Sequence, residues 1–144
     1  MELRFTAVCM DVDIASRIAS YACAAHPAPI LIRGDHFEEL ETGGSFVGVS
    51  REAEFFASSC LMEPGDRMVL ASDGAIDPMN AKGEELGSEG LVGLLNSPSD
   101  GTSLTKALEL LVRDRTGGRI PDDLTVVTIT ALRESRRKSV RPQT

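Results

Sequence analysis

The sequence predicts an α+β layered fold in which helices cover sheets built largely from consecutive hairpins, and three observations lead there. First, the N-terminal half is a series of short runs rich in β-formers, each closed by Gly, Pro or Asp. Second, helical periodicity enters only after Ser72-Asp73-Gly74, most clearly where Leu104, Ala107, Leu108 and Leu111 follow the i, i+3, i+4, i+7 pattern. Third, one further β-forming run, Leu124 to Leu132, closes the series. Strands first, then helices, then a last strand is the order of an α+β layer architecture.

The elements follow in order. Arg4 to Val12 reads as a buried strand. Asp11 to Ser16 turns the chain, and Arg17 to Ala22 returns as the second strand of a hairpin, although its alanines also suit helix. His26-Pro27-Ala28-Pro29 punctuates the chain, because each proline removes a backbone donor and keeps the residue before it extended. Ile30 to Arg33 is a short apolar strand, Gly34-Asp35 a turn, and Phe37 to Glu41 a weakly alternating strand. Gly43-Gly44 and Gly48 mark a glycine-rich stretch. Glu54 to Leu61 is a strand, Glu63-Pro64-Gly65-Asp66 a strong turn, and Arg67 to Ala71 the next strand. Together they predict an antiparallel hairpin that points Asp73 out of its end. Ser88 is a candidate N-cap for a helix through Leu95, and a better helix runs from Ser103 to Arg115. Arg113 and Arg115 in its last turn suit the helix dipole, and Gly117-Gly118 ends it.

At 144 residues the chain suits one domain. Its core rests on aliphatic residues, for there is no Trp and one Tyr. No apolar run approaches the roughly 20 residues of a membrane span, and Met1 to Phe5 lacks a signal pattern. The expectation is a cytoplasmic protein. Cys9, Cys23 and Cys60 are odd in number and lack CxxC spacing, which argues against a disulfide framework or a zinc site. Cys9 and Cys60 read as small core residues. The net charge is −7, yet residues 133–144 carry five basic residues against one acid, so the body is more acidic still. An acidic body disfavours nucleic acid as a partner. The end, 133–144, reads as a solvated, disordered basic tail.

The chemistry is concentrated in two acidic turns, Ser72-Asp73-Gly74 and Asp122-Asp123-Leu124-Thr125, each joined to a strand-like run. Carboxylates at neighbouring strand ends repel unless a hard cation sits between them. The candidate metal-binding residues are the acids Asp73, Asp122 and Asp123, with Gly74 counted in the same turn as Asp73. Asp73 before a glycine also suits a plain turn, and Asp122 and Asp123 also suit a solvated loop. His26, beside two prolines, reads as a structural hydrogen-bonding histidine and His36 as exposed. Ser72 lacks the His and acid partners of a serine hydrolase, and no phosphate-cradling glycine motif is present.

Five segments in order resemble the metal-dependent PP2C/PPM protein phosphatases, and within them the bacterial SpoIIE/RsbU branch. They are Ala25-His26-Pro27-Ala28-Pro29-Ile30-Leu31, Gly43-Gly44 to Gly48-Val49, Leu61 to Asp66, Ser72-Asp73-Gly74 and Asp122-Asp123-Leu124-Thr125. The resemblance covers about Phe5 to Leu132, so that 1–132 forms the C-terminal portion of such a domain. It implies an α/β/β/α sandwich with the active site at one edge of the two sheets. It also implies a serine/threonine phosphatase acting on a phosphoprotein, such as an anti-sigma-factor antagonist in stress or sporulation signalling. Asp73 would bridge two Mn²⁺ or Mg²⁺ ions, Asp122 would bind one of them, and Asp123 would stand beside it. The chain departs from the family pattern at Ala25, where Gly is usual, at Ala28 for Pro, and at Asp77 for Glu. The Asp-x-x-Gly-His-Gly-type motif that supplies a further metal ligand is not in the sequence, and Asp11 and Asp13 lie on a different strand. The expectation is an incomplete sandwich, with a sheet edge and an apolar face open to self-association or a partner. A non-catalytic descendant acting as a regulatory binding module is the alternative.

Overall fold

A computed structural model describes residues 3–97 and 103–133; the basic tail lies almost wholly outside them. The strands are β1 (Ala7–Asp13), β2 (Ile18–Ala24), β3 (Ile30–Arg33), β4 (His36–Glu39), β5 (Ala57–Leu61), β6 (Arg67–Ala71) and β7 (Val126–Thr130). The helices, between β6 and β7, are α1 (Asp73–Ile76), α2 (Gly87–Asn96) and α3 (Leu104–Arg115). Two antiparallel sheets form, one ordered β1-β2-β5 and one ordered β4-β3-β6-β7.

Side-chain alternation along the strands sets the layers. Leu31 of β3 and Met68 of β6 point to the three-stranded sheet, where they pack with Ala19, Tyr21, Leu40 and Met62. Ile30, Ile32, Val69 and Ala71 point the other way, onto Leu91 and Val92 of α2 and Leu108 and Val112 of α3. The central strands β3 and β6 of the four-stranded sheet are thus largely buried on both faces, while the edge strand β4 is exposed, and the described layers run sheet, sheet, helices. Of the periodic stripe read on α3, Leu108 meets this core together with Val112, whereas Leu104 is exposed, and the Ser103 hydroxyl caps the helix by accepting from the Lys106 N–H at 3.3 Å. α2 starts at Gly87, so Ser88 is a buried first-turn residue rather than its cap.

The antiparallel hairpin expected across Pro64-Gly65 does not form. β5 pairs with β2 and β6 pairs with β3 and β7, so the turn carries the chain from one sheet to the other. Asp66 holds this crossing. Its buried carboxylate accepts from the Glu63 N–H at 2.8 Å and from Arg33 Nη2 at 2.7 Å. Cys9 is likewise not a core residue. It stands on the exposed face of β1 with Asp11 and Asp13, while the buried cysteine is Cys23. On that outer face Ile18 and Leu61 are exposed, and no described helix covers it.

Ala25 adopts φ +48°, the left-handed region in which glycine is at ease. Its N–H donates to the Gly44 carbonyl at 3.2 Å, and a Cβ on Gly44 would stand 2.2 Å from the Cys23 carbonyl oxygen. The backbone at Ala25 and Gly44 is therefore pressed together, and the alanine is the strained member of the pair. His26 is half-buried, with Nδ1 3.0 Å from the Pro27 carbonyl oxygen, the contact of an N–H donor.

Candidate active site

The two acidic turns meet. β6 and β7 are neighbours in register from Arg67 opposite Thr130 to Ala71 opposite Val126, which brings the end of β6 beside the start of β7. Ser72 fastens the junction. Its N–H donates to the Thr125 carbonyl at 2.9 Å, its hydroxyl donates to the Asp123 carbonyl at 3.0 Å, and the same oxygen accepts from the Thr125 N–H at 3.0 Å. The hydroxyl is used across the junction, so it does not cap α1.

Gly74 makes the approach sterically possible. A Cβ there would lie 2.3 Å from the Asp123 carbonyl oxygen and 3.3 Å from the Asp122 carbonyl carbon. Only a residue without a side chain lets the first turn of α1 seat against the Asp122-Asp123 backbone.

Asp73 and Asp122 line one open cleft of about 800 Å³, together with Gly74, Asp77, Met79 and Arg119. Each acid has one oxygen engaged locally: Asp73 Oδ1 accepts from the Gly74 N–H at 2.9 Å, and Asp122 Oδ1 from the Asp123 N–H at 2.7 Å. Asp123 does not line this cleft. It lies on a neighbouring one of about 480 Å³, against Leu104, Thr105 and Leu108. Its contribution at the junction is its backbone, which receives Ser72 and Gly74. Asp11 and Asp13 line neither cleft; Asp13 accepts from the Ala15 and Ser16 N–H groups in its own turn.

Asp77 adds a third carboxyl to the cleft wall. Burial pushes its pKa up, and the nearby charges of Glu85 and Asp73 push it further in the same direction. At Asp77 itself a negative charge is thus disfavoured, first by burial and then by its acidic neighbours. Hard carboxylate oxygens suit Mn²⁺ and Mg²⁺, and Mg²⁺ is commonly held by one or two carboxylates with water and phosphate oxygens completing the shell. Asp73 and Asp122 fit that donor count. Among the described residues no group of three or more His, Cys, Asp or Glu side chains converges tightly enough to enclose an ion.

Pro78 to Ala81, which also line the cleft, belong to a self-bonded loop. Asn80 Oδ1 accepts from the Lys82 and Glu84 N–H groups at 2.9 and 3.0 Å, and Asn80 Nδ2 donates to Glu84 Oε2 at 2.8 Å. Arg115 ties this loop to α3, donating to the Pro78 carbonyl at 3.3 Å and the Glu84 carbonyl at 2.6 Å.

Of the four residues expected from the sequence, Asp73, Gly74 and Asp122 line one cleft and Asp123 lines its neighbour; the residues that join the two turns were not among those expected. Ser72 carried no local signal, because its partners are backbone groups of Asp123 and Thr125, about fifty residues away in sequence. Arg115 carried none, because an arginine in a last helical turn reads equally as a dipole complement, and Arg119 carried none, because an arginine after a Gly-Gly turn reads equally as a solvated loop residue.

The family model for stage II sporulation protein E (SpoIIE) matches residues 2–132. Among solved structures, the chain is similar to the phosphatase domain of the cell fate determinant SpoIIE from Bacillus subtilis, presoaked with Mn, at 17% identity and a TM-score of 0.69. That match covers 90% of this chain and 58% of the other. The PP2C domain of SiaA from Pseudomonas aeruginosa matches at 20% identity and a TM-score of 0.66, covering 88% of this chain and 51% of that one. A structure of RsbU and RsbW domains from Mycobacterium tuberculosis matches at 24% identity and a TM-score of 0.67, covering 90% and 38%. The fold is that of PP2C phosphatase domains, and the chain spans well under two thirds of each of these structures. No curated protein matches the chain significantly in sequence. No described helix is long and apolar enough to cross a membrane.

Proposed function

The chain belongs to the SpoIIE family, and from that premise we propose that it is the metal-binding C-terminal part of a protein serine/threonine phosphatase, acting on a phosphoprotein of the anti-sigma-factor-antagonist kind. The observation that carries this reading is the seating of Gly74 against the Asp122-Asp123 backbone, which puts Asp73 and Asp122 on one cleft. Asp73 and Asp122 would hold Mn²⁺ or Mg²⁺. Such an ion supplies a bound water acidic enough to act as nucleophile at neutral pH and stabilises charge on the phosphoryl oxygens.

The chain's own residues have defined tasks in this reading. Asp73 and Asp122 keep their second carboxylate oxygens available, since the first is fixed by a neighbouring N–H. Ser72 and Gly74 set the spacing of the two turns. Arg115 and Asn80 hold the loop from Pro78 to Glu84 that lines the cleft, so the substrate meets a formed groove rather than a loop that must be ordered on binding.

A second reading has its own support. Two carboxylates are few for a two-ion centre, and no third joins them tightly among the described residues. A domain of this kind that binds partners without catalysis would retain the fold and the cleft.

Hydrolysis separates the two. With a phosphoserine peptide, the chain is expected to release phosphate only when Mn²⁺ is present, and Asp73→Asn is expected to lower the rate at least a hundredfold, on the order of one lost transition-state charge contact. A folded chain inactive with Mn²⁺ would favour the binding module.

A further inference from the structure

The cleft is acidic where a phosphoester would enter. Asp73, Asp77 and Asp122 all line it, so a phosphate dianion is repelled unless cations offset them, and a cationic side chain would add to whatever a metal held by Asp73 and Asp122 supplies. Two arginines line the same cleft. Arg115 is engaged, with its guanidinium on the Pro78 and Glu84 carbonyls. Arg119 is not: among the described residues its guanidinium takes part in none of the ion pairs, and donates no hydrogen bond, although three acids share its cleft. An arginine so placed is available to a ligand.

The backbone that presents Arg119 is built. α3 ends in a left-handed turn, with Gly117 at φ +69° and Gly118 at φ +93°. The Gly118 N–H donates to the Arg113 carbonyl at 2.7 Å, the six-to-one bond of a Schellman cap. Arg113 Nη1 donates back to the Gly118 carbonyl at 2.8 Å, and the Thr116 hydroxyl lies against the Arg119 carbonyl. Arg119 also precedes Asp122 by three residues, so their Cα atoms are at most about 10 Å apart. Its side chain shares the groove with the metal-binding acid rather than a remote surface.

We propose that Arg119 is the phosphate-anchoring residue of this cleft, receiving the phosphoryl oxygens of a phosphoserine or phosphothreonine side chain on its planar guanidinium fork. A guanidinium offers paired donors matched to two phosphate oxygens, which a lysine ammonium does not. The assignment rests on the phosphatase reading above and adds the group that recognises its substrate. It also accounts for why the turn after α3 is fixed by three hydrogen-bonded contacts instead of left loose at the cleft mouth.

Binding tests it without turnover. A fluorescent peptide carries a non-hydrolysable phosphonate in place of phosphoserine, and its partner carries plain serine. Both are titrated with the Mn²⁺-supplemented wild-type chain, Arg119→Gln and Arg119→Lys, with inorganic phosphate as competitor. Arg119→Gln is expected to weaken the phosphonate peptide roughly tenfold, the scale of one charge-assisted hydrogen-bonded contact. Arg119→Lys should fall between it and wild type, and the serine peptide should be unaffected. Equal phosphonate affinity in wild type and Arg119→Gln overturns the assignment and leaves the phosphatase reading intact. Equal loss for the serine peptide also overturns it, by making Arg119 a general peptide contact. If wild type itself does not prefer the phosphonate over serine, the assignment and the phosphatase reading fall together.

Discussion

Gly74→Ala is expected to unseat the two acidic turns from each other. The new methyl would stand 2.3 Å from the Asp123 carbonyl oxygen and 3.1 Å from its carbon. These are backbone atoms, so no side-chain rotation relieves the clash. Gly74 is buried, and the strand pairing behind it fixes β6 against β7. The junction must therefore open, at a cost of about 1–3 kcal/mol for overpacking of this kind. Opening moves Asp122 away from Asp73 and disturbs the three Ser72 bonds. Urea denaturation should show the lost stability, and the folded variant should bind Mn²⁺ at least tenfold more weakly. A variant as stable as wild type, with unchanged Mn²⁺ affinity, would mean that the seating of Gly74 does not set the site.

Asp66→Asn is the second large effect, and it acts on the fold rather than on the cleft. Asp66 is 3% exposed and sits where the chain crosses between sheets. Burial alone would raise its pKa, but the hydrogen bonds from Arg33 and the Glu63 N–H, with the Arg33 charge, outweigh it and hold the carboxyl below its ordinary value. Arg33 is half exposed and is solvated once its partner is neutral, so the loss falls below that of a fully buried pair. The expected cost is about 2–3 kcal/mol, the scale of hydrogen bonds to a charged group. The sign with pH follows from the lowered value. The carboxylate's contribution is fully present above the unfolded value near 4 and is lost as pH falls through the lower folded value. Wild-type stability should therefore drop in acid more steeply than that of Asp66→Asn. Parallel curves in acid denaturation would remove Asp66 from its place at the crossing.

Legibility in the sequence divided along physical lines. Local chemistry was readable: β-branched and aliphatic runs gave β3, β6 and β7, and the Leu104–Leu111 stripe with Ser103 and Gly117-Gly118 gave α3 with both ends. Partner choice was not. Pro64-Gly65 states that the chain reverses, but which sheet receives Arg67 is decided by Met68 packing between the sheets and Val69 packing on the helices. Both strands of an expected hairpin thus formed, in different sheets. Cys9 was misread although the signal was there: Asp11 and Asp13 share its strand face by alternation, and two acids mark that face as wet.

The candidate site was legible as residue types and not as an assembly. Asp73 and Asp122 stood out because acids at strand ends need a reason. What joins them, the Ser72 hydroxyl and the absent side chain of Gly74, depends on a contact fifty residues away in sequence, which no local pattern encodes. Asp77 and Arg119 reach the cleft through the one-turn helix α1 and the turn after α3. A helix of four residues lies below any periodic signal.

The most direct measurement is a Mn²⁺ titration by calorimetry of the wild-type chain, Asp73→Asn and Asp122→Asn. If the two turns form one cation site, wild type binds Mn²⁺ and each variant loses affinity by a similar factor, at least tenfold, while remaining folded. Wild-type affinity in either variant, or no binding by the wild-type chain, would contradict the account and leave Asp73 and Asp122 as turn-forming acids.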